Sequence, residues 1–246
     1  MEGDDSLRGY LARLLGWARE REMDQALRSL DAAAAHRAHL VLCGVGDLVP
    51  IALALHRRTL GIDRPFVVCD PRRRNTAASV RAPANHNTGV AALAAAAGGS
   101  LCMRRYRLPA DLSSVVPQLQ AANDVQYVVC SAANDEIDPL LVLPAPIRIP
   151  PLTDREQELP RIVEAYAADA IATLGVGETS FTERDRTWIL EHAISTISEI
   201  EKTTLRLVAV RASSNMSHAA ARLGMAPVSL SRWIDRRQLR RLLGAA

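Results

Sequence analysis

The stretch Gly98–Leu112, GGSLCMRRYRLPADL, sets two arginines, Arg104 and Arg105, at the end of a short apolar run. Paired guanidiniums attract phosphate or carboxylate, but they neither coordinate Mg²⁺ nor act as a general base near neutral pH. A second stretch, LCGVGDLVPIALALH from Leu42 to His56, places Gly44 and Gly46 between an apolar run and an apolar helix. Backbone N–H groups in such a turn can wrap an anion. A phosphate loop adds a lysine and a hydroxyl to its glycines. Here Leu48 and Val49 hold that place, Asp47 adds a negative charge and Pro50 removes a donor. A third group is in the tail, where Arg232 and Arg236 are four residues apart and share a helix face.

Metal and thiol chemistry find less support. The six histidines (36, 39, 56, 86, 192 and 218) are scattered, and only His36 and His39 are close, at the end of an alanine-rich helix. The four cysteines, Cys43, Cys69, Cys102 and Cys130, each sit at or near the end of an apolar run, with no CxxC pair. They read as buried, reduced strand residues rather than metal ligands or a disulfide framework. No metal and no cofactor is expected.

The elements that must position these residues follow from the hydrophobic pattern. The chain has 246 residues, 48% hydrophobic and 23% charged, enough for one α/β domain and a small appendage. No apolar run approaches the ~18 residues that cross a bilayer, and the first residues are acidic and polar. No membrane association and a cytoplasmic location are expected. Strands are predicted at His39–Cys43, Phe66–Cys69, Leu101–Met103, Gln126–Cys130 and Pro146–Ile149, with helices between them at Val49–Leu60, Gly89–Ala97 and Ser113–Ala122. Helical spacing also runs from Leu7 to Ala35, and Asp70–Asn87 reads as a polar loop. Strand–helix alternation implies an α/β fold with a parallel sheet flanked by helices, whose ligands bind beyond the carboxyl ends of the strands.

After Pro151 the pattern is helical: Leu159–Leu174, a helix opened by the cap Thr182, then Glu199–Arg211, Ser217–Leu223 and Pro227–Arg237. Ser213–Ala246 carry six arginines against Asp235, in a chain whose net charge is only +3. A basic end on a mildly acidic body points to a polyanion partner.

Asn215–Arg237, NMSHAAARLGMAPVSLSRWIDRR, has helix-turn-helix grammar: small Ala219 and Ala220 where helices approach, Gly224 at the turn, and Leu230, Trp233 and Ile234 as anchors. Ser217 is the predicted N-cap. This segment, with Ile200–Asn215 before it, resembles the Fis-type DNA-binding domain. The resemblance implies that the last helix enters the major groove of double-stranded DNA, presenting Pro227, Val228, Ser229, Ser231, Arg232 and Arg236, with Ser217 offering its backbone to a phosphate. Arg232 and Arg236 either read guanine edges or hold phosphates. Arg237, Arg240 and Arg241 are assigned to the DNA backbone. A homodimer or higher homo-oligomer is implied.

The body is similar to the AAA+ domain of the sigma-54-dependent activators (bacterial enhancer-binding proteins) over roughly Leu7–Glu199. RPFVVCDP, AAGGSLCMRR and IRIPPLTDREQELPRIVEAY carry the likeness. The resemblance implies a nucleotide site, which this chain lacks at each position. Arg104 and Arg105 replace the metal-binding acids, the phosphate loop has no lysine, and the sigma-contact run is missing from Ser79–Val90 apart from Thr88-Gly89. The sensor position offers Ser131, then alanines and a late Asn134. Thr153 stands where an arginine is usual, while Arg155 remains. The expected organisation is a degenerate AAA+-like domain over 1–174, a reduced lid or linker over 175–198 and an all-α helix-turn-helix domain over 199–246. The expected function is a DNA-binding transcriptional regulator that is not an enzyme, with a protein partner for the AAA+-like domain. The alternatives are a regulatory subunit that co-assembles with an intact AAA+ activator, and a weak nucleotide binder.

Overall fold

A computed structural model describes residues 2–79, 82–121, 123–132 and 145–244, with side chains from residue 7 onward. The chain divides into two compact units, Met1–Pro151 and Leu152–Ala246. No helix among the described residues is long and apolar enough to cross a membrane.

The first unit is a six-stranded parallel sheet flanked by helices. In chain order its elements are α1 (Glu2–Leu15), α2 (Glu20–His36), β1 (Leu40–Cys43), α3 (Val49–Thr59), β2 (Phe66–Cys69), β3 (Ala84–His86), α4 (Gly89–Ala95), β4 (Ser100–Arg104), α5 (Leu112–Ala121), β5 (Gln126–Ser131) and β6 (Ile147–Arg148). The sheet order is β3-β2-β4-β5-β1-β6, and every pairing between these strands is parallel. Strands β1, β2, β4 and β5 are buried from end to end because helices cover both faces of such a sheet.

The two-residue period divides the core. Val41, Val67, Leu101, Met103, Tyr127 and Val129 join Leu93 of α4 with Val115 and Leu119 of α5 on one side. The opposite side carries the even-numbered residues of the strands, and α3 packs there on β4 and β5. Polar residues on that side bond one another. His56 Nδ1 lies 2.7 Å from Ser100 Oγ, which also donates to Gln126 Oε1 at 2.9 Å. Arg104 belongs to this same face, at its carboxyl end.

Two expectations change. The helical spacing over Leu7–Ala35 resolves into α1 and α2, separated at Gly16, which has φ 113°. The polar segment Asp70–Asn87 contains the edge strand β3. No hydrophobic alternation marks it, because it is held by polar bonds: Asn85 pairs with Thr76 through both backbone groups, and its side-chain amide donates to the Asp70 and Arg74 carbonyls. Gly99, ahead of β4, is required sterically, since a Cβ there would stand 2.0 Å from the Pro65 carbonyl oxygen.

The second unit is helical: α6 (Leu159–Leu174), α7 (Glu183–His192), α8 (Ile197–Arg211), α9 (Met216–Arg222), α10 (Pro227–Arg236) and α11 (Arg240–Leu243). Thr182 caps α7 in a capping box with Asp185. Asp185 is fully buried and also takes two bonds from the Arg211 guanidinium, at 3.1 and 3.2 Å, which ties α7 to α8. α8 packs on α6 and α9, and α9 packs on α10.

Candidate functional site

Two regions carry the predicted chemistry. The first lies beyond the carboxyl ends of β1, β4 and β5. The crossover to β2 leaves β1 on one side and β6 pairs with it on the other, so a crevice opens where the connections diverge. A pocket of about 320 Å³ sits there, lined by Gly44, Val45, Gly46, Leu48, Arg104, Tyr106, Cys130, Ser131 and Ala132.

The pocket's position suits a ligand, but its charges are already paired. Arg104 is 4% exposed. Its Nη2 donates to Asp47 Oδ1 at 2.9 Å and its Nη1 to Asp70 Oδ2 at 3.1 Å. Asp70 is fully buried at the end of β2 and also accepts from Arg107 Nη1 at 3.0 Å, with Arg73 Nε at 3.5 Å. Burial pulls the Arg104 pKa down, but Asp47 and Asp70 more than offset it, so the guanidinium is held charged. Where a phosphate loop brings a cation towards a carboxylate-bearing strand, Asp47 lies in the loop and Arg104 on the strand.

Donors at both ends of the loop are used as well. The Gly44 N–H bonds the Ser131 carbonyl at 3.2 Å, the Val49 N–H bonds Asp47 Oδ1 at 3.3 Å, and Pro50 has none. Sequence reasoning had Asp47 repelling an anion and Arg104 attracting one. It missed that each answers the other, and it missed Asp70 and Arg107 entirely. Of the other predicted positions, Arg105 begins a 3-10 turn, Arg105–Arg107, and Asn134 lies outside the described residues. Arg155, in the second unit, is buried and bonds Glu158 at 2.7 Å. All four cysteines are buried free thiols. Burial together with Asp111 and Asp70 pushes the Cys69 thiol up to about 11. Among the described residues no group of three or more His, Cys, Asp or Glu side chains converges as a metal site requires.

The second region is the pair α9 and α10. The N–H groups of Gly224 and Met225 bond back to the Ala221 and Ala220 carbonyls, closing α9. Gly224 has φ 60°, so the turn needs a residue without a Cβ penalty. Pro227 opens α10 at a position where no intrahelical N–H bond is lost. Leu230, Trp233 and Ile234 are buried, each contributing about 1.5–3 kcal/mol relative to exposure. The opposite face presents Pro227, Val228, Ser229, Arg232 and Arg236 as exposed residues, with Ser231 half-buried. Val228, an apolar side chain, is 59% exposed.

Two of the predicted residues stand differently. Ser217 is not the cap of α9. Asn215 is, in extended backbone, with its Oδ1 accepting from the His218 N–H at 2.9 Å. The helix begins before Ser217, which is an exposed second residue of the helix. Arg237 is half-buried, donates to Glu199 Oε1 at 2.8 Å and lies 5.6 Å from the centre of the Trp233 ring.

No family model and no curated protein matches the chain. Solved structures do. NtrX from Brucella abortus in complex with ADP matches with TM-score 0.50 at 12% identity, over 96% of this chain and 72% of that one. NtrX from the same organism in complex with ATP matches with TM-score 0.48 at 14% identity, over 88% and 67%. The chain thus shares, at low identity, an α/β fold with NtrX.

Proposed function

We propose that this chain is a sequence-specific DNA-binding transcriptional regulator, not an enzyme, built on an AAA+-like unit that neither hydrolyses ATP nor engages sigma-54. The observation that carries the reading is the two-sided character of α10. Its apolar side is buried, while Val228, Arg232 and Arg236 face solvent from a helix that follows a four-residue turn. An exposed valine beside unburied arginines suits a major groove, where an arginine reads guanine and an apolar group meets the thymine methyl. On this reading α9 and α10 are the helix-turn-helix of a Fis-type domain, acting as a homodimer or higher homo-oligomer.

The paired crevice supports the non-catalytic half of the proposal. NtrX was solved with ADP, so nucleotide is the ligand to test first. ATP would have to displace Asp47 from Arg104 and approach a loop that carries a carboxylate and Pro50, with no lysine to meet its charge. A bound nucleotide raises the unfolding temperature by mass action, so MgATP at millimolar concentration is expected to leave it unchanged. The decisive test of DNA binding is footprinting on genomic fragments. A discrete protected site that survives moderate salt, and disappears in Arg232→Ala/Arg236→Ala, is the expected result; uniform, salt-labile binding would sink the reading.

A further inference from the structure

The strand-end loops of the first unit carry more positive charge than the crevice uses. Those leaving β1, β2 and β4 hold Arg72, Arg73, Arg74, Arg104, Arg105 and Arg107 against Asp47, Asp70 and Asp111. The three carboxylates are committed. Asp47 holds Arg104; Asp70 holds Arg104 and Arg107 with Arg73 close by. Asp111 bonds the Gly89 and Val90 N–H groups at 2.8 and 3.0 Å. Among the described residues, Arg72, Arg74 and Arg105 pair with no carboxylate. β2 and β4 are neighbours in the sheet, and Arg73 and Arg107 reach the same Asp70 oxygen, so the loops 70–79 and 105–107 form one rim. Tyr106, 58% exposed, stands between Arg105 and Arg107, with the Arg107 guanidinium 5.3 Å from its ring centre.

We infer that this rim is a second nucleic-acid contact, binding the phosphodiester backbone. Its cations are all arginines, whose planar fork meets phosphate oxygens bidentately. Arg72, Arg73 and Arg74 are consecutive and exposed, an arrangement that follows a polymer of phosphates rather than enclosing one small anion. An exposed aromatic among cations is the pattern on which unpaired bases stack. The inference goes beyond the proposed role of α10 and uses none of its residues. A chain with both contacts gains affinity by linkage where one DNA spans them.

The test uses the full chain carrying Arg232→Glu and Arg236→Glu, which silences α10, and measures fluorescence anisotropy of a labelled 20-nucleotide dT strand and a 20-base-pair duplex of arbitrary sequence across a salt series. This background is expected to bind both in a salt-dependent way. Adding Arg72→Glu, Arg74→Glu and Arg105→Glu should lower the slope of log K against log salt by about 2–3, since each lost phosphate contact removes about 0.7 on a single strand and 0.9 on a duplex. Affinity at low salt should fall at least ~100-fold, with the unfolding transition retained. If that variant does not fold, Arg72→Gln/Arg74→Gln should lower the slope by about 1–2. An unchanged slope and affinity in a folded variant overturns the inference, as does a background that binds neither probe. Tyr106→Ala separates the sources: loss on dT alone assigns an unpaired strand, and no loss assigns contacts to the backbone of either form. Failure of the α10 reading is separate, because there the Arg232→Glu/Arg236→Glu chain binds genomic fragments as the wild type does, whatever the rim does.

Discussion

Arg104 and Arg232 are the same side chain in opposite surroundings. Arg104 ends a central strand, is buried, and has both terminal nitrogens on carboxylates from two other loops. Arg232 stands on the exposed side of α10, one residue before the buried Trp233. Taking a guanidinium out of water costs several kcal/mol, which only close partners repay. Arg104 is therefore part of what holds the first unit together, whereas Arg232 keeps its charge available for a partner outside the chain. The crevice has the position of a binding site, yet its guanidinium is taken up in ion pairs; α10 leaves its arginines on the exposed side.

Four measurements would break or sharpen that contrast. The largest effect is expected in the joint. Arg104→Ala leaves the buried Asp70 short of a partner and should destabilise the first unit by about 3 kcal/mol in urea unfolding. A loss under about 1 kcal/mol would mean that Arg107 and Arg73 satisfy Asp70 alone. Arg232→Ala, by contrast, should change stability by no more than about 0.5 kcal/mol. Its effect belongs in binding: Arg232→Ala and Arg236→Ala should each weaken affinity for the footprinted site by about 10–100-fold. Equal losses on all sequences would make them phosphate contacts, and losses confined to the site would make them base readers.

A smaller effect tests how α9 presents itself. Asn215→Ala removes the observed cap and should cost about 1 kcal/mol, while Ser217→Ala should stay within about 0.5 kcal/mol. The reverse order would restore Ser217 as the cap. The smallest effect is on pH dependence. Burial lowers the pKa of His56, against its bond to the Arg64 carbonyl, and burial also lowers that of His39; both start from 6.5. The unfolded chain then binds protons more readily than the folded one. The stabilisation from neutral imidazole is complete above pH 6.5 and is lost as pH falls through the folded values. The unfolding temperature should decline below pH 6.5, and less so in His56→Gln, which keeps polar partners for Ser100 and the Arg64 carbonyl.

Much of this organisation was legible in the residues. Phe66–Cys69 and Leu159–Leu174 fall where apolar runs and helical spacing put them, because burial on both faces of a parallel sheet, or along one side of a helix, demands that pattern. Thr182 was legible as a cap for a similar reason: its hydroxyl acts within three residues of itself. The edge strand β3 was not, since polar bonds from Asn85 hold it and no hydrophobic period records them. Ser217 was misplaced because Asn215 and Ser217 are both good capping types, and only backbone geometry chooses between them.

The local record was enough for an α/β body without a phosphate-loop lysine, and for a basic helix with one apolar side. These depend on residue type and on short periods that any stretch of chain carries with it. Whether Arg104 would be an anion receptor or a structural joint was decided by the tertiary fold. Asp47 lies 57 residues before Arg104 and Asp70 lies 34 before it. The parallel pairing puts their three loops at one end of the sheet, and the order β2-β4-β5-β1 sets them close together. An ion pair is short in range and blind to sequence distance, so its partners became known only when the strands took their places.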